Sequence, residues 1–95
     1  MAAYIIAEVE VLDPVMFEQY RAAVPATIAA YGGRYVVRGG ATEVYEGTWQ
    51  PKRMIVLEFP SVAHLREWYR SADYAPLIAL RKQCARTNVI SLEGV

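Results

Sequence analysis

The sequence predicts an α+β fold, a split β-α-β arrangement with a four-stranded antiparallel sheet and helices on one face. Three observations carry that expectation. Hydrophobic period switches along the chain in the order β-α-β-β-α-α-β. Gly32-Gly33 ends a helix and opens the short β-type run Arg34–Arg38, which Gly39-Gly40 closes. The chain has 95 residues, enough for one domain covering 1–95, and 55% of them are hydrophobic against a usual ~45–50%. A chain this short buries only about 60–65% of its unfolded surface. The apolar excess therefore calls for a second subunit as cover.

Tyr4–Val11 reads as the first strand. Ile5, Ala7, Val9 and Val11 make an apolar face, and Tyr4, Ile6, Glu8 and Glu10 a mixed one. Asp13-Pro14 starts a helix, since an Asp carboxylate accepts an orphan N–H and proline suits the first helical position. Phe17, Tyr20, Val24, Ile28 and Tyr31 continue it at spacings of three and four. Pro25 interrupts that stripe and predicts a kink or break, and Gly32 supplies a left-handed cap. Arg34–Arg38 is a strand on which Arg34, Val36 and Arg38 share a face. Gly39-Gly40 is either a hairpin turn or a bulge in a longer strand running through Thr42–Gly47. Pro51 marks a further turn, and Arg53–Phe59 follows as a continuous apolar run expected to be buried on both faces. Pro60-Ser61 stops it and caps a helix from Val62 to about Arg70 with Val62, Leu65, Trp68 and Tyr69 inward. Ser71-Ala72-Asp73 interrupts, Pro76 opens a helix through Leu77, Leu80 and Cys84, and Thr87–Glu93 closes the chain as a strand. Helices on one side leave the other sheet face bare, with either Ile6 and Val56 or Ile55 and Leu57 on it. Two such faces packed together would bury either set.

Composition excludes several function classes. Ten basic and ten acidic residues cancel and are interspersed, so no basic field for a nucleic acid exists. The aromatic-rich strand of RNA-binding versions of this topology is missing as well. One cysteine, Cys84, rules out an internal disulfide and an all-cysteine metal site. It falls on the apolar stripe of the last helix and reads as a buried, inert thiol. Met1-Ala2-Ala3-Tyr4 carries no basic region followed by a cleavable apolar stretch, and no apolar run approaches the ~18 residues of a membrane span. The expectation is a cytoplasmic protein with no membrane or nucleic-acid partner. No phosphate loop, nucleophile elbow or zinc spacing occurs, and no cofactor is expected.

Four segments together resemble a known family: Gly32-Gly33-Arg34-Tyr35 through Val37-Arg38-Gly39-Gly40; Glu46-Gly47 with Trp49-Gln50-Pro51; Glu58-Phe59-Pro60-Ser61; and Trp68-Tyr69 with Ser71, Tyr74 and Arg81. In that order they resemble the dimeric α/β-barrel superfamily, and within it the domain of unknown function 1330 family. The resemblance implies a ferredoxin-like protomer, a homodimer whose sheets close into a barrel, and the bulge reading of Gly39-Gly40. It implies no reaction. The superfamily includes cofactor-independent monooxygenases and muconolactone isomerases, whose chemistry carries over only by analogy of fold.

The candidate site residues each admit two readings. Arg38, beside the glycines, either clamps a carboxylate or enolate with its planar fork or pairs on the surface with a carboxylate such as Glu43. Glu58 is a candidate base if burial raises its pKa, or else an ion-pair partner of Arg38, Arg53 or Arg81. His64 is the lone histidine. It sits in a first helical turn, where the dipole favours neutral imidazole, and is either a base or a solvent-facing residue. With no acidic cluster beside it, it makes no metal site. Trp68, Tyr69 and Tyr74 flank the Ser71 break and either line a pocket or pack as core, and Arg81, two turns beyond Tyr74, reaches the same opening. Trp49 is expected at a dimer contact. The leading functional reading is a homodimer binding a small aromatic or acidic molecule between helices and sheet, with any turnover being cofactor-free proton transfer or oxygenation. The alternative is a non-catalytic dimerisation or binding module.

Overall fold

The computed structural model describes Met1–Val95. The elements follow as β1 (Ala3–Val11), α1 (Pro14–Ala30), β2 (Arg34–Arg38), β3 (Arg53–Phe59), α2 (Val62–Tyr69), α3 (Ala75–Cys84) and β4 (Ala85–Glu93). They form a four-stranded antiparallel sheet in the order β2-β3-β1-β4. This is the α+β arrangement expected from the sequence. Ala3, Ile5, Leu57 and Phe59 meet Val24 and Ile28 of α1, Leu65 and Trp68 of α2, and Tyr74 in a single buried cluster.

The termini of α1 follow their chemistry. The Asp13 carboxylate accepts the Met16 N–H at 3.1 Å, with Pro14 in the first turn. At the other end Gly32 has φ +77°, and the N–H groups of Gly32 and Gly33 donate to the carbonyls of Ala29 and Ile28. This double closure needs a left-handed residue. Of the kink or break expected at Pro25, the break does not occur: the helix runs through it. Val24 and Ile28, on either side of that turn, are buried against the sheet, and their packing holds the helix despite the lost bond.

The main correction lies in β2. Its irregularity is at Val36, not at Gly39-Gly40: Tyr35 pairs with Leu57 but Val37 pairs with Val56. One extra residue reverses the side-chain alternation. Arg34 therefore shares the outer face with Glu58 and Val37, while Tyr35 and Arg38 share the inner face with Leu57 and Ile55. Arg34 and Arg38 do not lie together. Nor does β2 extend through Thr42–Gly47. After Gly39, at φ +67° with its N–H on the Met54 carbonyl, residues 40–52 form an irregular exposed excursion.

The outer face is as apolar as expected, and the set it carries is Ile6 and Val56. Ile90 and Leu92, paired across from Ile6 and Tyr4, are 55% and 50% exposed. The continuous apolar run of β3 is thus buried on one face only: Leu57 and Phe59 are interior, whereas Val56 is half-buried on the outside.

Glu8, also outward, ties the excursion down. Its carboxylate accepts from the Trp49 indole at 2.9 Å, the Lys52 backbone N–H at 3.2 Å and the Asn88 amide at 3.0 Å. These donors, Asn88 and Trp49 foremost, hold its pKa below the usual carboxylate range. A depressed pKa means that this tether is complete above the ordinary Glu range and is lost as pH falls through the lowered value. The Trp49 indole N–H resonance should therefore move to a solvent-like position on acidification below the usual Glu range. In Glu8→Gln it should be insensitive to pH over that span.

Candidate functional site

Ser71 builds the innermost part of the site. It is buried between α2 and α3, and its hydroxyl donates to the Trp68 carbonyl at 2.8 Å and accepts the Tyr74 N–H at 3.1 Å. The break it makes turns the chain so that the Trp68 and Tyr74 rings stack with centroids 4.1 Å apart. Tyr69 meets both rings edge-on, and Phe59 lies 5.3 Å from Trp68. The Trp68 indole N–H is held at 3.0 Å by Thr27 of α1.

These rings border a cavity of about 250 Å³ between α1 and the inner face of the sheet. Ile5, Ala7, Val9, Ile55, Leu57 and Val89 make its floor, and Phe17, Tyr20 and Val24 its roof. All five residues expected at a ligand site, Arg38, Trp68, Tyr69, Tyr74 and Arg81, border it. Tyr20, Tyr35, Arg21 and Arg53 border it too and escaped the sequence reading. Tyr20 looked like one more residue of the α1 stripe, and its partner Tyr74 lies 54 positions away, so no local pattern joins them. Arg53 carried a signal only as a possible partner for Glu58.

The two candidate bases are elsewhere. Glu58 is on the outer face, where its carboxylate takes Arg34 Nε at 2.7 Å and the Tyr4 hydroxyl at 3.1 Å. Its ion-pair partner is thus Arg34, not Arg38, Arg53 or Arg81. His64 is exposed on α2, its Nδ1 2.7 Å from the Ser61 hydroxyl that caps the same helix. Neither borders the cavity. Cys84 is buried, and burial pushes its thiol pKa up, as an inert thiol requires.

Arg81 is the unusual group. It is 5% exposed and has no carboxylate within ion-pair distance. One Nη donates to the Tyr74 hydroxyl at 3.1 Å, while its buried Nε–H has no partner in the protein. Burial works against its charge, but the neighbouring Tyr74 and Tyr20 oxygens outweigh that and raise its pKa. Tyr74 and Tyr20 are joined hydroxyl to hydroxyl at 2.6 Å. Burial first, then Tyr20, pushes the Tyr74 pKa up, so it remains a neutral phenol at any physiological pH. Because Tyr74 accepts from Arg81 and the pair shares one proton between its oxygens, the second phenolic proton is left uncommitted. The inner end of the site thus contains unmatched donors.

Electrostatically the lining is one-sided. Arg21, Arg38, Arg53 and Arg81 are its only charged members, without an Asp, Glu, His or Lys. Arg21 is neutralised by Glu18, whereas Arg38 and Arg53 form no ion pair. Arg38 lies 3.8 Å above the centroid of Tyr35. Such a lining is electrostatically suited to an anion and holds no side chain suited to removing a proton at neutral pH.

Residues 2–95 match the model of a domain of unknown function (DUF1330). The chain belongs to that family. No curated protein matches it in sequence. Among solved structures it is similar to a protein of unknown function from Rhodopseudomonas palustris, with 18% identity, 99% of this chain and 82% of that one covered, and a TM-score of 0.78. It is also similar to SnoaB, a cofactor-independent oxygenase from Streptomyces nogalater, at 13% identity, 99% and 93% coverage and a TM-score of 0.68. A dimeric ferredoxin-like protein of unknown function from Jannaschia sp. CCS1 matches at 14% identity, 99% and 100% coverage and a TM-score of 0.66. At these identities the likeness establishes the ferredoxin-like α+β fold of this DUF1330 member. No helix in it is long and apolar enough to cross a membrane.

A buried cation kept without an acid costs stability, and a shape-filling apolar replacement removes that cost. Arg81→Met should raise the unfolding free energy of the ligand-free protein by about 1 kcal/mol in urea titration. A loss of similar size would mark Arg81 as structural instead.

Proposed function

We propose that this protein is a homodimer, each chain a single domain over residues 1–95, that binds a small aromatic or acidic organic anion in the cavity between helices and sheet. Arg38, Trp68, Tyr69, Tyr74 and Arg81 are its ligand contacts. The observation that carries this reading is the buried Arg81, which has an unpartnered Nε–H and borders a cavity lined by no acid. Stacked aromatic walls suit a flat ligand, and unmatched donors suit an oxyanion.

Arg81 and the tyrosine pair can bind, orient and stabilise negative charge on oxygen. Proton abstraction by a protein base has no candidate at the cavity, since Glu58 and His64 lie outside it. Oxygenation without a cofactor, the activity in SnoaB's description, would start from the same bound anion with dioxygen as the oxidant. Binding leads, and turnover depends on the anion.

The homodimer reading rests on the outer face. Ile6, Val37, Val56, Ile90 and Leu92 form an apolar strip on the side away from the helices, and the Jannaschia relative is described as dimeric. A second copy packed there, with Trp49 near the contact, would bury the strip. The lone, buried Cys84 suits a reducing cytoplasm. The rival reading, a non-catalytic dimerisation or binding module whose polar residues only fix the interface, draws on the same strip and leaves Arg81 unexplained.

Two measurements test these proposals. Light scattering coupled to size exclusion should give a dimer at micromolar concentration, and Val56→Lys should shift it towards monomer. Titration with 2-naphthoate should quench Trp68 fluorescence. Methyl 2-naphthoate, without the charge, should bind at least about tenfold more weakly, and Arg81→Met should remove the difference. Equal binding of acid and ester by the wild type would defeat the anion reading.

A further inference from the structure

We infer that the ligand carries two separated anionic groups, an inner one on Arg81 and an outer one held between Arg38 and Arg53 at the cavity mouth. This rests on the anion-binding reading of the cavity and adds a class to it: a flat dicarboxylate, or an aromatic acid with a second ionised oxygen.

The cations fall into two sets. Arg81 is buried on α3, which packs against α1 and β4. Arg38 and Arg53 are exposed and belong to β2 and β3, at the opposite side of the sheet. With strands about 4.8 Å apart, two or three strand spacings put roughly 10–14 Å between the backbones concerned. Side-chain reach shortens that gap to the scale of one or two fused rings. A single carboxylate does not bridge it.

The outer pair is held in place by its surroundings. The bulge at Val36 turns Arg38 inward, and the Tyr35 ring 3.8 Å below fixes its plane. Arg53 lies across Gly39, where an added Cβ would come within 2.8 Å of its Cζ and 2.9 Å of its Nε. The positive φ of Gly39 favours a residue without a side chain, and a side chain there would push the Arg53 guanidinium aside. Two guanidinium groups are thus brought to one rim with no carboxylate paired to either. Like charges gathered without a counter-charge favour an anion between them.

The test compares acids of matched size by calorimetry: benzoate with terephthalate, and 2-naphthoate with 2,6-naphthalenedicarboxylate. At least one dicarboxylate should bind about tenfold tighter than its mono-acid. That advantage should disappear in Arg38→Gln/Arg53→Gln, which should cost the dicarboxylate at least about tenfold more affinity than it costs the mono-acid. It should also shrink as salt rises to ~0.5 M, because the outer arginines are exposed to screening. Both substitutions are at exposed positions, and Arg38→Gln alone, expected to lose part of the advantage, serves if the double variant fails to fold. Equal affinity for mono- and dicarboxylates in the wild type, or an advantage that survives loss of the arginines, would overturn the two-anion inference while leaving the single-anion reading intact. Failure of every acid to bind in an Arg81-dependent way would overturn both.

Discussion

One extra residue in β2 decides which side of the sheet carries which charge. A strand alternates its side chains strictly, and the bulge at Val36 breaks that alternation once. Before the bulge, Arg34 faces outward and neutralises Glu58. After it, Arg38 faces inward and borders the cavity. A regular strand would place both arginines on the outer face beside a single carboxylate, leaving the mouth of the cavity with Arg53 and the neutralised Arg21. The whole electrostatic character of the outer end of the site follows from this local insertion.

At the inner end the controlling feature is an imbalance. Protein interiors match donors to acceptors, and buried cations are paired. Around Arg81 the matching is incomplete: the Tyr74 oxygen serves the guanidinium and the Tyr20 hydroxyl, and Nε is left over. A structural arginine would be expected to sit beside a carboxylate, as Arg34 does on the other face. A buried, incompletely matched cation beside a cavity is a recognised mark of a functional site.

Much of the fold was legible because its signals are local. The Asp13 cap, the Gly32 closure, the alternation of β1 and the Ser61 cap each need only a few neighbouring residues, and each appears where the pattern put it. Pro25 does not end the helix, because the packing of Val24 and Ile28 outweighs a local propensity. The bulge was legible as an irregularity in this segment but not in its position. Gly39-Gly40 advertised it, whereas Val36 has no glycine or proline to mark it, and its bulge exists only through pairing with β3. The site divided in the same way. Trp68, Tyr69, Tyr74 and Arg81 are close in sequence and on helices whose period is known, so their convergence could be read. Tyr20 and Arg53 enter through tertiary contacts alone, and Glu58 was misplaced because its face depends on register.

The sheet also explains why assembly and ligand binding need not compete. Residues of β1 alternate between the two faces: Ile5, Ala7 and Val9 form the cavity floor, while Tyr4, Ile6 and Glu8 face outward. A partner covering Ile6, Val56 and Ile90 would touch none of the inward side chains, and the mouth arginines would remain on the helix side. It would add rigidity to the floor, because the backbone of β1 and β3 is common to both faces. Binding modules and dimerisation modules are therefore not alternatives on this scaffold in the physical sense. They use opposite faces of one pleated sheet, and what separates them is whether the buried charge on the inner side has a purpose.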